Sequence, residues 1–461
     1  MLFHSTRGKD KDKTFEQVLM QGLADDGGLF IPDNWPKVDI NKLKELDTFL
    51  DVAKYIVPMF TQSSFDKSEV EEVLNNTWHD FSEKDLIKIF DIDESTSILE
   101  LFHGPTAAFK DFGLQLAAAF FNKTLQTQNK TAVVFGATSG DTGSAAIDAC
   151  KEFDVIKSFI LIPDGNMSEI QRKQMTTVDK SNVFPILVSG TFDDCQDIVK
   201  KGFNERSFLR DDQYLLAVNS INWVRIIGQI CYYFYASLIV NKLSHPLNFS
   251  VPTGNFGNVF ACYAASKMGM PLEKIIVAVN SNDILDRFFK NNDYSKKTVS
   301  ETISPSMDIS VASNFERLMY DFYLNRNSEA CSNLYNNFPE YGIKIDDEMW
   351  QKSEDLFMSY SINDDSTYES MKFYNNEYNY VMDPHTAVAA EAVSSLKDKL
   401  KNKTIILSTA HPAKFPNALK NAGIISDDIP DNLSEVISKK EVASKLSASE
   451  DSIFNYIKEN N

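Results

Sequence analysis

"TAVVFGATSGDTGSAAIDACKEF", residues 131–153, contains in order the parts of a strand, a turn and a helix. Its opening letters, TAVVF, are mostly β-branched, aromatic or small and favour an extended strand. GATSGDTG then forms a turn rich in glycine and hydroxyl groups, and SAAIDACKEF has the composition of a helix. A strand that leads through a short turn into a helix is the repeating unit of α/β proteins.

Six further stretches show the same order of strand, turn and helix. Their strand-like parts are residues 158–165, 183–190, 214–220, 247–254, 274–280 and 404–411. Repeated units of this kind predict parallel strands joined by right-handed crossovers, in a sheet that helices cover on both faces. Ligands in such folds bind at the carboxyl ends of the strands. We therefore expect the functional site in the turns that follow these strands.

Two regions depart from this alternation. Up to residue 98 the chain carries acidic amphipathic stretches such as DKSEVEEVLNNTWHDF, which predict a mostly helical N-terminal domain, 1–98. Between about residues 290 and 380 the sequence is rich in Asn, Ser, Tyr and acidic residues. This second region is interpreted as a helical and loop insertion that covers the site or forms an interface.

Composition and charge exclude several classes of protein. The net charge of −19, from 65 acidic and 46 basic residues, argues against a nucleic-acid-binding surface. The sequence contains no run of eighteen apolar residues, so no membrane span is predicted. The five cysteines lack C-x-x-C spacing, which is typical of reduced thiols in a cytoplasmic protein. The six histidines are scattered, so no metal site is predicted.

Lys110 stands in "HGPTAAFKDFG", residues 103–113, between two phenylalanines. One interpretation is a surface lysine paired with Asp111. The apolar neighbours favour another, a poorly hydrated amine with a lowered pKa that acts as a nucleophile or base. Such a lysine can bind an aldehyde cofactor, provided that a phosphate site lies elsewhere in the chain.

"PTGNFGNVF", residues 252–260, is a candidate phosphate site. Its glycines allow backbone N–H groups to turn toward an anion at a helix N-terminus. The residues concerned are Gly254, Asn255, Phe256, Gly257 and Asn258. The alternative is that the glycines serve helix packing alone.

Three other turns carry polar side chains at strand ends. In GATSGDTG, residues 136–143, they could hold a carboxylate or cap the helix. In STAHPAKF, residues 408–415, Thr409 could face a ring nitrogen or cap a helix. In VNSINWVRIIGQ, residues 218–229, Arg225 could anchor a phosphate or form a surface charge pair.

Together these segments resemble the fold-type II pyridoxal-phosphate enzymes, and within them the long form of the threonine synthase family. The order and spacing of the five segments match that family, as do STRG at 5–8 and MDPHTAVA at 382–389. The resemblance extends to about residue 421. It implies two open, twisted, mostly parallel sheets flanked by helices. It also implies a large cofactor-binding domain, 99–130 and 219–461, and a smaller mobile domain, 131–218.

The resemblance also implies roles for individual residues. Lys110 matches the lysine that binds pyridoxal phosphate and then acts as base and acid. Residues 254–258 match the cofactor-phosphate loop, and Thr409 matches the residue that faces the pyridine nitrogen. Asp141 stands beside the phenolic oxygen, where many relatives carry Asn. The positions that match substrate-binding residues are Thr138, Ser139, Gly140, Thr142, Asn219 and Arg225.

The implied reaction converts O-phospho-L-homoserine and water to L-threonine and phosphate, by γ-elimination and β-hydration with pyridoxal 5'-phosphate. Two alternatives remain open. A phospholyase of the same family would release a 2-oxo acid and ammonia from the same site. A non-catalytic relative would only bind a phosphorylated ligand. The resemblance implies a monomer or a homodimer with a small-molecule substrate.

Overall fold

The computed structural model describes residues 1–138, 140–165, 167–217 and 219–461. The N-terminal part forms a two-stranded antiparallel sheet and five helices. The strands are β1 (Phe3–Ser5) and β2 (Phe30–Pro32), and the helices are α1 (Phe15–Gln21), α2 (Ile40–Leu43), α3 (Phe49–Ile56), α4 (Pro58–Thr61) and α5 (Lys67–Asn75). Side chains of Thr14, Asp39, Thr48 and Asp66 cap four of these helices. The predicted helical character of this region is confirmed.

A six-stranded sheet forms the centre of the larger unit, in the order β11-β10-β9-β12-β4-β3. Its strands are β3 (Lys88–Asp91), β4 (Thr96–Glu100), β9 (Leu247–Pro252), β10 (Leu272–Val279), β11 (Phe357–Ser361) and β12 (Thr404–Ser408). Every pairing is parallel except that of β3 with β4. In the centre, Ile406 of β12 pairs with Ile98 of β4 and with Ser250 of β9.

A second sheet of five parallel strands has the order β13-β7-β6-β5-β8. Its strands are β5 (Thr131–Ala137), β6 (Ile156–Pro163), β7 (Val183–Ser189), β8 (Gln213–Ala217) and β13 (Ser444–Ser447). The two mostly parallel sheets, flanked by helices, confirm the predicted fold class.

Helices connect the strands and cover both sheets. Those between β4 and β10 are α6 (Lys110–Gln128), α7 (Asp141–Cys150), α8 (Glu169–Thr176), α9 (Phe192–Glu205), α10 (Trp223–Asn241) and α11 (Gly257–Met268). Those after β10 are α12 (Ile284–Asn291), α13 (Phe315–Leu318), α14 (Ser328–Tyr341), α15 (Asp347–Gln351), α16 (Asp364–Tyr378), α17 (Pro384–Leu396), α18 (Pro416–Asn421), α19 (Asp431–Ser438) and α20 (Glu450–Asn460). A π-helix follows α13 at Met319–Tyr323, and a short 3-10 helix lies at Pro305–Met307.

The sheets correct two of the sequence-based boundaries and the interpretation of residues 290–380 as helix and loop alone. The boundary at residue 98 falls inside β4, and β3 also belongs to the larger sheet. Residues 444–447, assigned to the large domain, form the edge of the smaller sheet beside β7. The region 290–380 contributes β11 to the larger sheet. These edge strands have at most five residues, and an edge position tolerates polar side chains, so their sequences lack a clear strand pattern.

Helices α6 and α10 pack closely against each other in the main hydrophobic core. A Cβ atom at Gly228 would lie 2.9 Å from the carbonyl oxygen of Phe112, and one at Gly113 would lie 3.0 Å from Cα of Arg225. The two backbones therefore meet without intervening side chains, which fixes the start of α6 relative to α10. Helix α10 is long and apolar enough to cross a membrane, but 89% of its apolar window is buried inside the protein.

Candidate active site

The carboxyl ends of strands from both sheets open onto one cavity of about 430 Å³. Turns after β4, β9 and β12 line it from the larger sheet, and turns after β5 and β8 line it from the smaller one. Ser139 lies outside the described residues. All other predicted site residues line the cavity: Lys110, Thr138, Gly140, Asp141, Thr142, Asn219, Arg225, Gly254, Asn255, Phe256, Gly257, Asn258 and Thr409.

Lys110 is the first residue of α6, and its side chain is only 11% exposed. Its Nζ lies 3.5 Å from Oδ2 of Asp141 and 3.3 Å from Oγ of Ser306. Burial is the main cause that lowers the pKa of the Lys110 amine. The cations of Lys414 and Arg225 lower this pKa further, whereas Asp141 acts against them. The amine is thus held in surroundings that favour its neutral, reactive form.

The interpretation of Lys110 as a surface lysine paired with Asp111 is wrong. Asp111 is fully buried. Its carboxyl group accepts hydrogen bonds from N–H of Thr106 at 2.9 Å and from Oγ1 of Thr106 at 2.6 Å. Burial raises the pKa of Asp111 to about 7, so its carboxyl group is only partly ionised at neutral pH.

Asp141 forms a buried ion pair with Lys414, a residue to which the sequence assigned no role. Oδ1 of Asp141 lies 2.8 Å from Nζ of Lys414, whose side chain is 0% exposed. Burial acts to raise the pKa of Asp141, but the nearby Lys414 ammonium, and after it the side chain of Lys110, hold this pKa well below its usual range. Asp141 is therefore an anion whose charge is already matched inside the protein.

Helix α11 begins at the cavity, which its first residues Gly257 and Asn258 line. Its N-cap residue, Phe256, has a left-handed backbone with φ of 64°, and within the described part of the chain no side chain caps this helix start. The first N–H groups of a helix have no partner inside the helix. A Cβ atom at Gly254 would lie 2.6 Å from the carbonyl oxygen of Ser306. Glycine is thus required there for a close approach of two chain segments.

Two buried polar groups at the cavity have donors with no partner among the described residues. One is Nδ2 of Asn258, whose Oδ1 accepts from the hydroxyl groups of Tyr232 at 2.5 Å and Tyr233 at 2.7 Å. The other is Nε of Arg225, whose Nη1 donates to the carbonyl of Asn219 at 2.6 Å. Burial lowers the pKa of Arg225 to about 10. Unpaired buried donors of this kind fit an anionic ligand.

Thr138 and Asn219 also hold their own turns together. Oγ1 of Thr138 accepts from N–H of Gly143 at 3.0 Å, near the start of α7, so its hydroxyl group has the capping role considered as the alternative. Oδ1 of Asn219 accepts from N–H of Ile221 and of Asn222, each at 3.1 Å. These bonds shape the two turns that the smaller sheet presents to the cavity.

His385 and Ser306 line the cavity too, and local sequence gave neither a role. Nε2 of His385 accepts from N–H of Ser306 at 3.2 Å, and its Nδ1 lies 2.7 Å from Oδ1 of Asp383. This chain of contacts holds the segment at Pro305–Met307 over Lys110. The motif at 382–389, which matches the family, contains His385. The hydrogen bond between His385 and Ser306 joins residues 79 positions apart, and local sequence could not predict it.

Family models match three parts of the chain. "Pyridoxal-phosphate dependent enzyme" matches residues 98–333, "Threonine synthase N terminus" matches residues 2–78, and "Threonine synthase, C-terminal" matches residues 386–457. Threonine synthase of Pseudomonas aeruginosa is 40% identical over 445 residues, covering 96% of this chain and 94% of that protein. Threonine synthase of Saccharomyces cerevisiae is 40% identical over 458 residues, covering 91% and 89%.

The fold is similar to those of two solved structures. One is pyridoxal-phosphate-bound threonine synthase from Brucella melitensis, with a TM-score of 0.95, 35% identity and 99% of both chains covered. The other is threonine synthase from yeast, with a TM-score of 0.93, 38% identity and coverage of 100% of this chain and 98% of that one. The chain therefore belongs to the threonine synthase family of pyridoxal-phosphate-dependent enzymes.

Proposed function

We propose that this chain converts O-phospho-L-homoserine and water to L-threonine and phosphate. The observation that carries the proposal is a buried lysine amine in the same cavity as two places that can each receive an anion. One is the start of α11 at residues 254–258, and the other is the buried guanidinium of Arg225. A phosphorylated cofactor and a phosphorylated substrate together require two such places.

The residues at the cavity fit pyridoxal phosphate. Lys110 would hold its aldehyde carbon, residues 254–258 would hold its phosphate, and Thr409 would face the ring nitrogen. The unpaired Nδ2 of Asn258 and the close approach at Gly254 support this placement. When bound, the cofactor supplies an electron-withdrawing ring that stabilises negative charge on substrate carbon atoms.

Protein groups supply binding and proton transfer. The Lys110 amine, with its lowered pKa, can accept a proton from substrate carbon and return it. Ser306 and Asp141 lie within 3.5 Å of this amine and restrict its positions. Arg225 binds the substrate phosphate and stabilises it as it leaves, and the turn at 138–142 binds the substrate carboxylate.

We further propose that the unit built on the smaller sheet moves relative to the larger one. It comprises residues 131–218 together with the C-terminal strand β13 and helix α20. Phe192 and Gln196 at the start of α9 line the cavity from this unit. Closure would exclude bulk water while the substrate carbon atoms carry negative charge.

We also propose that the protein is cytoplasmic and acts as a monomer or a homodimer. The five cysteines are all described, all buried and all free, as in proteins of a reducing compartment.

The proposed reaction is tested by product analysis of the purified protein with pyridoxal phosphate and O-phospho-L-homoserine. We expect L-threonine and phosphate in equal amounts. Formation of 2-oxobutyrate and ammonia would identify a phospholyase instead. Absence of the visible absorption band of lysine-bound pyridoxal phosphate would contradict both enzyme activities and favour a non-catalytic binding protein.

The Gly254→Ala variant should bind pyridoxal phosphate at least about tenfold more weakly, because its Cβ atom would displace the Ser306 carbonyl beside the phosphate loop. Equilibrium dialysis against the cofactor measures this change. Gly136→Ala is the matched control, since its Cβ atom would lie 3.8 Å from Cδ1 of Ile160, an ordinary contact. Equal affinity in Gly254→Ala and the parent protein would show that the loop does not hold the phosphate.

A further inference from the structure

Lys110 and Lys414 both approach the carboxylate of Asp141, but at different distances. Nζ of Lys414 lies 2.8 Å from Oδ1, whereas Nζ of Lys110 lies 3.5 Å from Oδ2. Lys414 has no exposed surface, and its Nζ also donates to the carbonyl of Thr106 at 2.8 Å. The shorter contact identifies Lys414 as the main counterion of Asp141.

Charge balance around the Lys110 amine follows from this arrangement. The charged groups with the largest effects on it are Asp141, Lys414 and Arg225; Asp308 and His385 line the same cavity, and the buried Asp111 adjoins Lys110 in the chain. A carboxylate beside a buried lysine normally stabilises the ammonium form. Here a second lysine sits against the same carboxylate and offsets that effect.

We propose that Lys414 is a positioning residue that takes up the charge of Asp141 and leaves the Lys110 amine unprotonated near neutral pH. This inference rests on the proposed role of Lys110 as the cofactor-binding lysine. It also explains how an aspartate can occupy position 141 beside the reactive amine. The Asp141 carboxylate orients the Lys110 amine without stabilising its protonated form, because Lys414 neutralises the charge of this carboxylate.

The sequence around Lys414 carries the same signal as that around Lys110. Both lysines directly adjoin a phenylalanine and follow a proline and small residues, in HGPTAAFK and HPAKF. Their positions in the fold differ. Lys110 lines the cavity, whereas Lys414 is enclosed in the protein as the counterion of Asp141.

The test measures how fast the full-length chain captures pyridoxal phosphate at Lys110 as a function of pH. Condensation of the amine with the aldehyde releases water and requires the neutral amine, so the rate profile reports its protonation. Borohydride reduction and peptide mass spectrometry identify the lysine modified. We expect the midpoint of the profile to rise by about one to three pH units in K414M, because Asp141 then stabilises the Lys110 ammonium.

Two further variants separate a charge effect from a packing effect. D141N/K414M removes both opposing charges, and its midpoint should return to within about half a unit of that of the parent protein. K123M alters a lysine that lies on the same helix as Lys110, α6, and pairs with Glu72 at 2.8 Å. This variant should leave the midpoint unchanged. Circular dichroism establishes that each variant is folded.

A folded K414M with an unchanged midpoint would overturn the inference, as would a double variant shifted as far as K414M. If K414M does not fold, the double variant decides, and a midpoint displaced by more than about one unit contradicts the proposal. Failure of the parent protein to capture the cofactor at Lys110 at any pH would instead refute the proposed function.

Discussion

Lys110→Ala is expected to lose threonine formation by at least about 10⁴-fold, because in the proposed mechanism this one residue both holds the cofactor and transfers protons. The visible absorption band of lysine-bound pyridoxal phosphate should disappear as well. Stability should change little, since the amine contributes one long contact to Asp141 and one to Ser306. Steady-state assays, absorption spectra and thermal unfolding measure the three effects.

Lys123→Ala is the matched control for this variant. Lys123 lies on the same helix, and its amine pairs with Glu72 at the surface. Its removal should leave both the absorption band and the activity near the values of the parent protein. A Lys110→Ala protein that keeps the band and forms threonine would assign the cofactor to another lysine.

Arg225→Met is expected to lower kcat/KM for O-phospho-L-homoserine by about 10²- to 10³-fold, because the proposed pairing of the substrate phosphate with a buried guanidinium would be lost. The affinity for pyridoxal phosphate should change much less. Competitive inhibition by inorganic phosphate should weaken in the same variant. A large loss of kcat/KM with little change in cofactor affinity would distinguish the proposed role of Arg225 from that of the loop at 254–258.

Arg172→Met provides the control for loss of an arginine. Arg172 pairs with Glu441 and its side chain is 37% exposed, so its removal should affect activity little. If Arg225→Met instead lost the cofactor and kept normal substrate affinity for the bound fraction, Arg225 would belong to the cofactor site.

Local sequence predicted the parts of the fold that repeat. Seven strand, turn and helix units appeared as apolar runs followed by polar turns, and each run overlaps a strand of one of the two sheets. The position of the site followed from the same pattern, because parallel strands end at a common edge. The described candidate residues in these turns are separated by up to about 300 positions, yet they line one cavity.

Features that depend on distant contacts were not predicted. The strands β11 and β13 are short and lie at sheet edges, where polar side chains are tolerated and no apolar pattern is needed. Lys414 and Asp141 meet although 273 positions separate them in the chain. Lys414 in its buried ion pair and Lys110 at the cavity both adjoin a phenylalanine and follow a proline and small residues, so this local pattern does not distinguish them.

Oxygen-18 water tests the central proposal most directly. The purified protein is incubated with pyridoxal phosphate and O-phospho-L-homoserine in the labelled water, and the products are analysed by mass spectrometry. We predict one labelled oxygen in the hydroxyl group of L-threonine and none in the phosphate, because the carbon–oxygen bond breaks and water adds to carbon. Labelled phosphate together with homoserine would show hydrolysis at phosphorus and would contradict the proposed reaction.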